Sequence, residues 1–320
     1  MVNGVCAVRV AQRELLASAG ADHMVRIWDP ATGVHVRTLE GHTKWVEEVC
    51  AVRVAQRELL ASAGADHVVR IWDPGTGGAE RTLEAHEGWV NGVCAVHIRG
   101  RERLASAGTD ATVRIWDPGT GVAERTLEGH TGWVNGVCTV HVAGREVLAS
   151  AGTDEIRMWD LDTGLPERNL VGHAGWIRGV CASGVDGSEL LASAGDDATV
   201  RIWDPATGAL EQTLEQHTGR VNAVCSVRSD GRELLASGGT DGTVQMWDPA
   251  TGAHERTLEG HTGWVNGVCA VHVKGRELLA SAGDDDTVRI WDPVTGVQRL
   301  ILKEPTGGLH ERASSSSRQP

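Results

Sequence analysis

The dipeptide Trp-Asp recurs at a nearly constant interval and fills the chain from end to end. Its seven copies are 44 residues apart, with a single interval of 43, and begin at Trp28, Trp72, Trp116, Trp159, Trp203, Trp247 and Trp291. A period of this length indicates one small supersecondary unit per repeat, which cannot bury its apolar face alone and must stack on its neighbours. The repeat therefore predicts one continuous array for the 320 residues, not two independent domains.

Each unit has the pattern of four short strands separated by turns. In the second unit we expect strands at residues 45–54, 58–63, 68–72 and 80–83, and the Asp-Pro-Gly-Thr-Gly sequence from Asp73 reverses the chain between the last two. No segment keeps a helical period over three turns. Four-stranded units that must stack predict a radial ring of sheets.

The units also carry a His, in most of them preceded by Gly, upstream of each complete Ser, Asp and Trp-Asp set, and in this they resemble the WD40 repeat family over about residues 2–305. The resemblance implies an all-β, seven-bladed WD40 β-propeller with four antiparallel strands per blade. The chain-order units give no evident terminal strand exchange, so we expect the first sheet to close the ring by packing on the seventh. We expect a propeller at residues 1–305 and a disordered tail at 306–320.

Composition excludes several classes of function. The net charge of -13 disfavours binding to nucleic acid or anionic membranes, and no apolar run is long enough to span a bilayer. The seven cysteines occur once per unit, which indicates copied, reduced thiols and a cytoplasmic protein. Without Cys-x-x-Cys, a zinc-spaced His cluster or a phosphate loop, we expect no metal and no cofactor.

Six units contain His, Ser and Asp at constant offsets, the residue types of a hydrolase triad. Six equivalent copies without a Gly-x-Ser-x-Gly elbow argue against catalysis. The family resemblance implies structural hydrogen-bond tetrads instead: His42, Ser62, Asp66 and Trp72; His86, Ser106, Asp110 and Trp116; His130, Ser150, Asp154 and Trp159; His173, Ser193, Asp197 and Trp203; His217, Ser237, Asp241 and Trp247; His261, Ser281, Asp285 and Trp291. The first unit lacks the His and should be the least stable blade; His310 lies too far past the register to replace it.

The same resemblance implies that residues three and five positions after each His, and the residue before each tetrad Asp, project from one narrow face, the top face. Five of the six residues at the first of these positions are Trp. The candidate partner-binding residues are Trp45, Glu47, Trp89, Asn91, Trp133, Asn135, Trp176, Arg178, Arg220, Asn222, Trp264, Asn266, Asp196 and Asp284. A ring of exposed Trp has the composition of an interface hot spot; the alternative is that the Trp side chains only cap the blades.

These patterns favour a monomeric, non-catalytic scaffold that binds a protein or peptide across the top face, either by itself or as the sensor module of a larger protein. The alternative is a small-ligand binder or enzyme that uses the central channel. That alternative requires a polar cluster that is singular, meaning that it is not repeated in every unit. The singular residues in the repeats are Arg178, Arg220, Asp196 and Asp284. The other histidines, among them His97, His141 and His272, lack evident acidic companions in the sequence and are expected to be surface or packing residues.

Overall fold

The computed structural model describes residues 1–11, 13–185 and 187–303, and these contain 28 β-strands. The strands of the first four blades are β1 (Val2–Val10), β2 (Arg13–Gly20), β3 (Met24–Trp28), β4 (His35–Glu40); β5 (Val46–Val54), β6 (Arg57–Gly64), β7 (Val68–Trp72), β8 (Ala79–Glu84); β9 (Val90–Ile98), β10 (Arg101–Gly108), β11 (Thr112–Trp116), β12 (Ala123–Glu128); β13 (Gly136–Val142), β14 (Arg145–Ala151), β15 (Glu155–Asp160), β16 (Pro166–Val171). Those of the last three are β17 (Ile177–Val185), β18 (Ser188–Gly195), β19 (Val200–Trp203), β20 (Leu210–Leu214); β21 (Val221–Ser229), β22 (Arg232–Gly239), β23 (Val244–Trp247), β24 (His254–Leu258); β25 (Val265–Val273), β26 (Arg276–Gly283), β27 (Thr287–Trp291), β28 (Gln298–Lys303).

The strands form seven four-stranded sheets, each with its strands in chain order and antiparallel to their neighbours. We number the sheets as blades 1 to 7 and name their strands a to d from the channel outward. The strands a of adjacent blades contact one another around the ring, and β1 closes it against β25. The predicted seven-bladed, all-β propeller is therefore confirmed.

Turn chemistry sets the spacing between strands c and d. In blade 2 the Asp73 carboxylate accepts a hydrogen bond from the Gly75 N–H at 2.8 Å, and the Gly77 N–H donates to the Asp73 carbonyl at 2.7 Å. Gly77 has a φ of 83°, a conformation that is strained for residues with a Cβ. The Asp-Pro-Gly-Thr-Gly sequence therefore forms the tight turn that the sequence predicts.

The apolar core lies between blades. Trp72 of blade 2 is 1% exposed and packs among Val8, Leu15 and Ile27 of blade 1, and the strand-c Trp of each other blade contacts the preceding blade in the same way. With no Phe or Tyr in the chain, these Trp are the largest buried side chains. Burial of apolar area between sheets therefore supplies both the core and the contact that joins neighbouring blades.

Blade 1 packs on blade 7 with no strand exchanged between them in the described residues. Val2, Leu16 and Trp28 of blade 1 form one buried cluster with Val271 and Ile290 of blade 7. This confirms that the ring closes by packing, as the chain order of the units predicts. The expected tail, 306–320, lies outside the described residues.

In blade 2 every observed strand end lies within one residue of the predicted bound. Strand a of blade 2 begins at Val46, so Trp45 lies in the loop before it, and strand b extends from Arg57 to Gly64. The described residues contain no helix, and hence none that is long and apolar enough to cross a membrane.

Candidate interaction face

The d–a loops and the b–c turns lie at the same end of every blade, because strands a and b are antiparallel and a d–a loop enters strand a beside the end of strand b. In blade 2, for example, the Ala65 N–H of the b–c turn donates to the Trp45 carbonyl at 2.8 Å. We call this end the top face. The a–b and c–d turns form the opposite end, the bottom face.

Beneath the top face, the predicted tetrad is formed in blade 3. The His86 Nδ1 lies 2.9 Å from an Asp110 carboxylate oxygen, and its Nε2 lies 2.7 Å from Ser106 Oγ, which also accepts the Trp116 indole N–H at 2.8 Å. The carboxylate holds the imidazole proton on Nδ1, so the Ser hydroxyl donates to Nε2. Blades 2, 5, 6 and 7 repeat these contacts.

The tetrads bury groups that a hydrolase would expose. Ser106 is 0% exposed, so its hydroxyl cannot reach a substrate. Burial lowers the pKa of His86, although Asp110 opposes this shift, and the imidazole is therefore neutral. Burial raises the pKa of Asp197, but hydrogen bonds from the Ala174 N–H and from His173 outweigh it and bring the value to about 2. These features suit a fixed hydrogen-bond network that joins strands b and c to the d–a loop.

The tetrad assigned to blade 4 is incomplete, and the prediction for Asp154 is wrong. His130 and Trp159 both bond Ser150, at 2.7 Å each, but no hydrogen bond joins His130 to Asp154, which is exposed. This blade is one residue shorter, and its turn closes from the Gly152 N–H to the Glu155 carbonyl. The tighter turn moves the carboxylate away from the imidazole.

In blade 1 the Trp28 indole donates to Ser18 Oγ at 2.8 Å, but no His bonds Ser18 in the described residues; the nearby His35 ring packs edge-on against Trp28, with centroids 5.2 Å apart. Asp22 instead forms an ion pair with Arg26. Blade 1 thus retains only the Trp–Ser contact of the three tetrad contacts described for blade 3, in agreement with its lack of the Gly-His element.

At the predicted positions on the top face lie the large aromatic side chains. Trp45, Trp89, Trp133 and Trp264 are 46%, 40%, 45% and 46% exposed, and Trp176 is half-buried. Trp45 and Trp89 meet across the seam between blades 2 and 3, with ring centroids 6.4 Å apart. Trp133 and Trp176 meet across the seam between blades 4 and 5, with ring centroids 5.1 Å apart. The top face therefore presents two aromatic pairs and a fifth indole to solvent.

Charged side chains complete this ring in blades 5 to 7. Arg178 lies over the Trp176 ring, with Cζ 4.8 Å from the centroid, and pairs with both oxygens of Asp196 at 2.6 and 2.9 Å. Arg220 is exposed and lies over the Trp264 ring at 5.5 Å. The structure therefore joins three of the singular charges to the aromatic ring.

The candidate Asn side chains lie between blades rather than outward. The Asn91 amide donates to the Val134 carbonyl of the next blade at 3.1 Å, and Asn266 donates to the Val2 carbonyl of blade 1 at 3.1 Å and to Asp284 at 2.7 Å. We call each amide-to-carbonyl bond a top clip; the five clips are donated by Asn3, Asn91, Asn135, Asn222 and Asn266. These Asn therefore join blades, and whether they also bind a partner stays a prediction.

Glu47 and Glu48 are the exception on blade 2. Glu47 occupies the position of a clip Asn, and its buried Oε1 has no hydrogen-bond partner in the described structure. Glu48 stands where five other blades have Gly, and it accepts the Val49 N–H at 3.0 Å. Burial raises the pKa of both carboxyls to about 7. Glu48 was not predicted as a site residue, although its departure from Gly was visible in the sequence.

The upper channel beside these carboxyls is narrow. Its cavity of about 110 Å³ is lined by Glu48, Arg178 and the Val and Gly residues of strands a. Pockets for small organic ligands typically have volumes of about 300–1,000 Å³. The upper channel thus contains a singular acidic group, as a ligand site requires, but little space for a ligand.

Comparison with known proteins gives the family. The family model described as WD domain, G-beta repeat matches residues 3–29, 33–73, 77–117, 121–160, 164–204, 208–248 and 252–292, which is most of the chain. The chain belongs to the WD40 repeat family. WD40 propellers are in general non-catalytic scaffolds for protein interactions.

Individual relatives match about the length of one repeat. Nuclear distribution protein nudF 1 of Talaromyces marneffei is 47% identical over 47 residues, which are 14% of this chain and 10% of that protein. Nuclear distribution protein PAC1 of Arthroderma benhamiae and that of Trichophyton verrucosum are each 56% identical over 34 residues, 11% of this chain and 7% of theirs. The matches thus span a tenth or less of each relative.

This WD40 ring also has a second set of contacts between blades on its bottom side, which the sequence did not predict. In each seam a strand-a N–H donates to a strand-b Glu of the next blade, as His97 does to Glu146 at 2.8 Å. The accepting residues are Glu14, Glu58, Glu102, Glu146, Glu189, Glu233 and Glu277. We call these bonds bottom clips. The expectation that His97, His141 and His272 lack acidic companions is therefore wrong, since their rings lie 3.2–3.3 Å from these carboxylates.

Proposed function

We propose that this WD40 propeller is a non-catalytic, monomeric platform that binds a protein or an extended peptide across its top face. The exposed indoles of Trp45, Trp89, Trp133 and Trp264 support this proposal most directly. Covering the exposed part of a large apolar side chain with a partner is favourable, and Trp is enriched among the residues that dominate binding energy. The pairing of these rings across seams fixes their orientation, which lowers the entropy lost on binding.

Capping alone accounts less well for these side chains. Trp45 contributes little to the buried core because nearly half of its surface stays exposed. The buried Trp of strand c, such as Trp72, already fills the space between blades. A cytoplasmic location is part of the proposal, since all seven cysteines are free of disulfides.

Affinity capture from a cell lysate tests the proposal. The bait is the full chain, compared with a variant that carries Trp45→Ala, Trp89→Ala and Trp133→Ala. The matched control carries Val34→Ser, Val122→Ser and Leu165→Ser, which are 58%, 58% and 64% exposed beside the c–d turns of the bottom face. We expect the Trp variant alone to lose the bound proteins while its thermal unfolding stays near that of the wild type. Equal recovery by all three baits would contradict the proposal.

A further inference from the structure

The six ring positions of the top face divide into two halves. In blades 5 and 7, the Trp176 and Trp264 rings each have an intramolecular guanidinium group on one face, from Arg178 and Arg220. In blades 2 to 4, no cation lies over Trp45, Trp89 or Trp133 in the described structure. Arginine side chains of the protein itself thus cover the Trp rings in one half of the top face. In the other half, blades 2 to 4, the Trp rings have no cation of the described residues over them, and we call this the open half.

The charge around the open half is negative. In five blades strand d ends at the top face in an exposed Glu, such as Glu84 or Glu128, or is followed directly by one, and Glu87 is exposed two residues before Trp89. Around the whole top face, nine exposed carboxylates in the described residues face four exposed cations: Lys44, Arg220, Lys303 and the Met1 ammonium, which pairs with Asp286. This excess attracts a cationic partner and repels an acidic one.

Resting on the proposed function, we propose that the top face of blades 2 to 4 binds an arginine-rich segment of a partner protein. Its guanidinium groups lie over the faces of Trp45, Trp89 and Trp133, and Glu84, Glu87 and Glu128 neutralise their charge. Arginine fits better than lysine because a planar guanidinium stacks on an indole and still donates in-plane hydrogen bonds to carboxylates. Arg178 shows this double use within the chain, since it lies over Trp176 and pairs with Asp196.

A defined peptide tests this assignment. The probe is a labelled peptide of six Gly-Arg dipeptides, compared with Gly-Lys and Gly-Gln peptides of equal length by fluorescence anisotropy at low and physiological salt. We expect the arginine peptide to bind several-fold more tightly than the lysine peptide, and the glutamine peptide not to bind. Trp89→Leu with Trp133→Leu, which keeps apolar area but removes the aromatic faces, should weaken binding of the arginine peptide by about five- to ten-fold. Trp264→Leu is the matched control, because Arg220 already covers that ring.

Glu84→Gln with Glu87→Gln should weaken binding and reduce its salt dependence. Equal affinity for the arginine and lysine peptides, or no effect of the Trp89 and Trp133 substitutions, would overturn the inference. A captured partner that is lost with the top-face Trp variant but is not displaced by the arginine peptide would also overturn it, and would leave the proposed function standing. If the Trp substitutions abolish binding of neither the captured partner nor the arginine peptide, the result contradicts both this inference and the proposed function.

Discussion

Single residues show how a repeated motif differs in use from one copy to the next. Asp110 and Asp154 occupy the same motif position, but Asp110 accepts bonds from His86 and from the Glu87 N–H, whereas Asp154 is exposed without a bond to His130. The identity of a motif residue therefore does not fix its energetic contribution, which depends on whether local chain length places its side chain beside its partner.

The Asp pair gives the first prediction. Asp110→Ala should lower the free energy of unfolding by about 1–3 kcal/mol, because it leaves the buried His86 Nδ1 and a backbone N–H without partners. Asp154→Ala should change it by less than about 0.5 kcal/mol, as is usual for an exposed residue without such contacts. Urea unfolding of both variants at pH 7 measures the difference. Equal losses would show that Asp154 does contribute to its tetrad in solution.

His130 gives a prediction on pH. Burial, with a smaller contribution from the Arg157 charge, lowers the pKa of His130 to about 4, and the side chain is 8% exposed. In the unfolded chain the pKa is about 6.5, so between pH 6.5 and 4 the unfolded state binds more protons and folding stability falls with falling pH. The lowered pKa of His130 should reduce the free energy of unfolding by about 3 kcal/mol between pH 6.5 and pH 4. Urea unfolding of wild type and His130→Gln at pH 7, 5.5 and 4 should show a steeper decline for the wild type; parallel declines would refute the assignment.

At the scale of elements, the sequence predicted the blades well and the seams poorly. Strand c of blade 2, from Val68 to Trp72, has the predicted bounds, because an alternating pattern and an Asp-Pro turn determine a strand locally. The top clip of Asn91 could not be predicted, since the family resemblance places the residue at the top face but does not show which carbonyl of the next blade it meets. The tetrads, which join elements within a unit, were predicted less well than the strands but better than the clips.

The seam between blades 2 and 3 has Glu47 in place of a clip Asn and gives the third prediction. The pKa of Glu47 is raised by burial to about 7, so the folded chain binds the proton more tightly than the unfolded chain, and stability is lost as pH rises from about 4.5 to 7. Glu47→Asn removes this loss and places an amide near the Val90 carbonyl, as in the five clipped seams. The variant should be more stable than wild type at pH 8, and by a smaller margin at pH 5.

Differential scanning fluorimetry at the two pH values measures this change, and Glu47→Gln separates its two causes. Gln removes the titration but has a longer side chain than the clip Asn. It should therefore flatten the pH dependence without the full gain of Glu47→Asn. If Glu47→Asn is less stable than the wild type at both pH values, the carboxyl makes a contact that the raised pKa does not reveal.

At the scale of the whole molecule, seven nearly equivalent seams close one ring, but one seam differs in connectivity. Six seams are crossed by a d–a loop, so the two blades stay close together even when their packing opens. Within the described residues, the seam between blades 7 and 1 has only noncovalent contacts, among them the apolar cluster around Trp28, the ion pair of the Met1 ammonium with Asp286, the clip from Asn266 to Val2, and the clip from the His272 N–H to Glu14. We therefore expect the ring to open there first.

Asn266→Ala and Asn222→Ala test this expectation, since both remove a top clip of 3.1 Å, one at the closing seam and one at the connected seam between blades 6 and 7. Loss of the hydrogen bond to Val2 across the closing seam, about 1 kcal/mol, should speed local opening there about five-fold; Asn266→Ala also removes the donor to Asp284 within blade 7. For Asn266→Ala, hydrogen exchange should accelerate in β1 and β25, whereas Asn222→Ala should leave exchange in β21 and β25 nearly unchanged under native conditions. In the wild type, blades 1 and 7 should exchange fastest. Equal protection of all seven blades would show that packing alone holds the closing seam as firmly as a connecting loop.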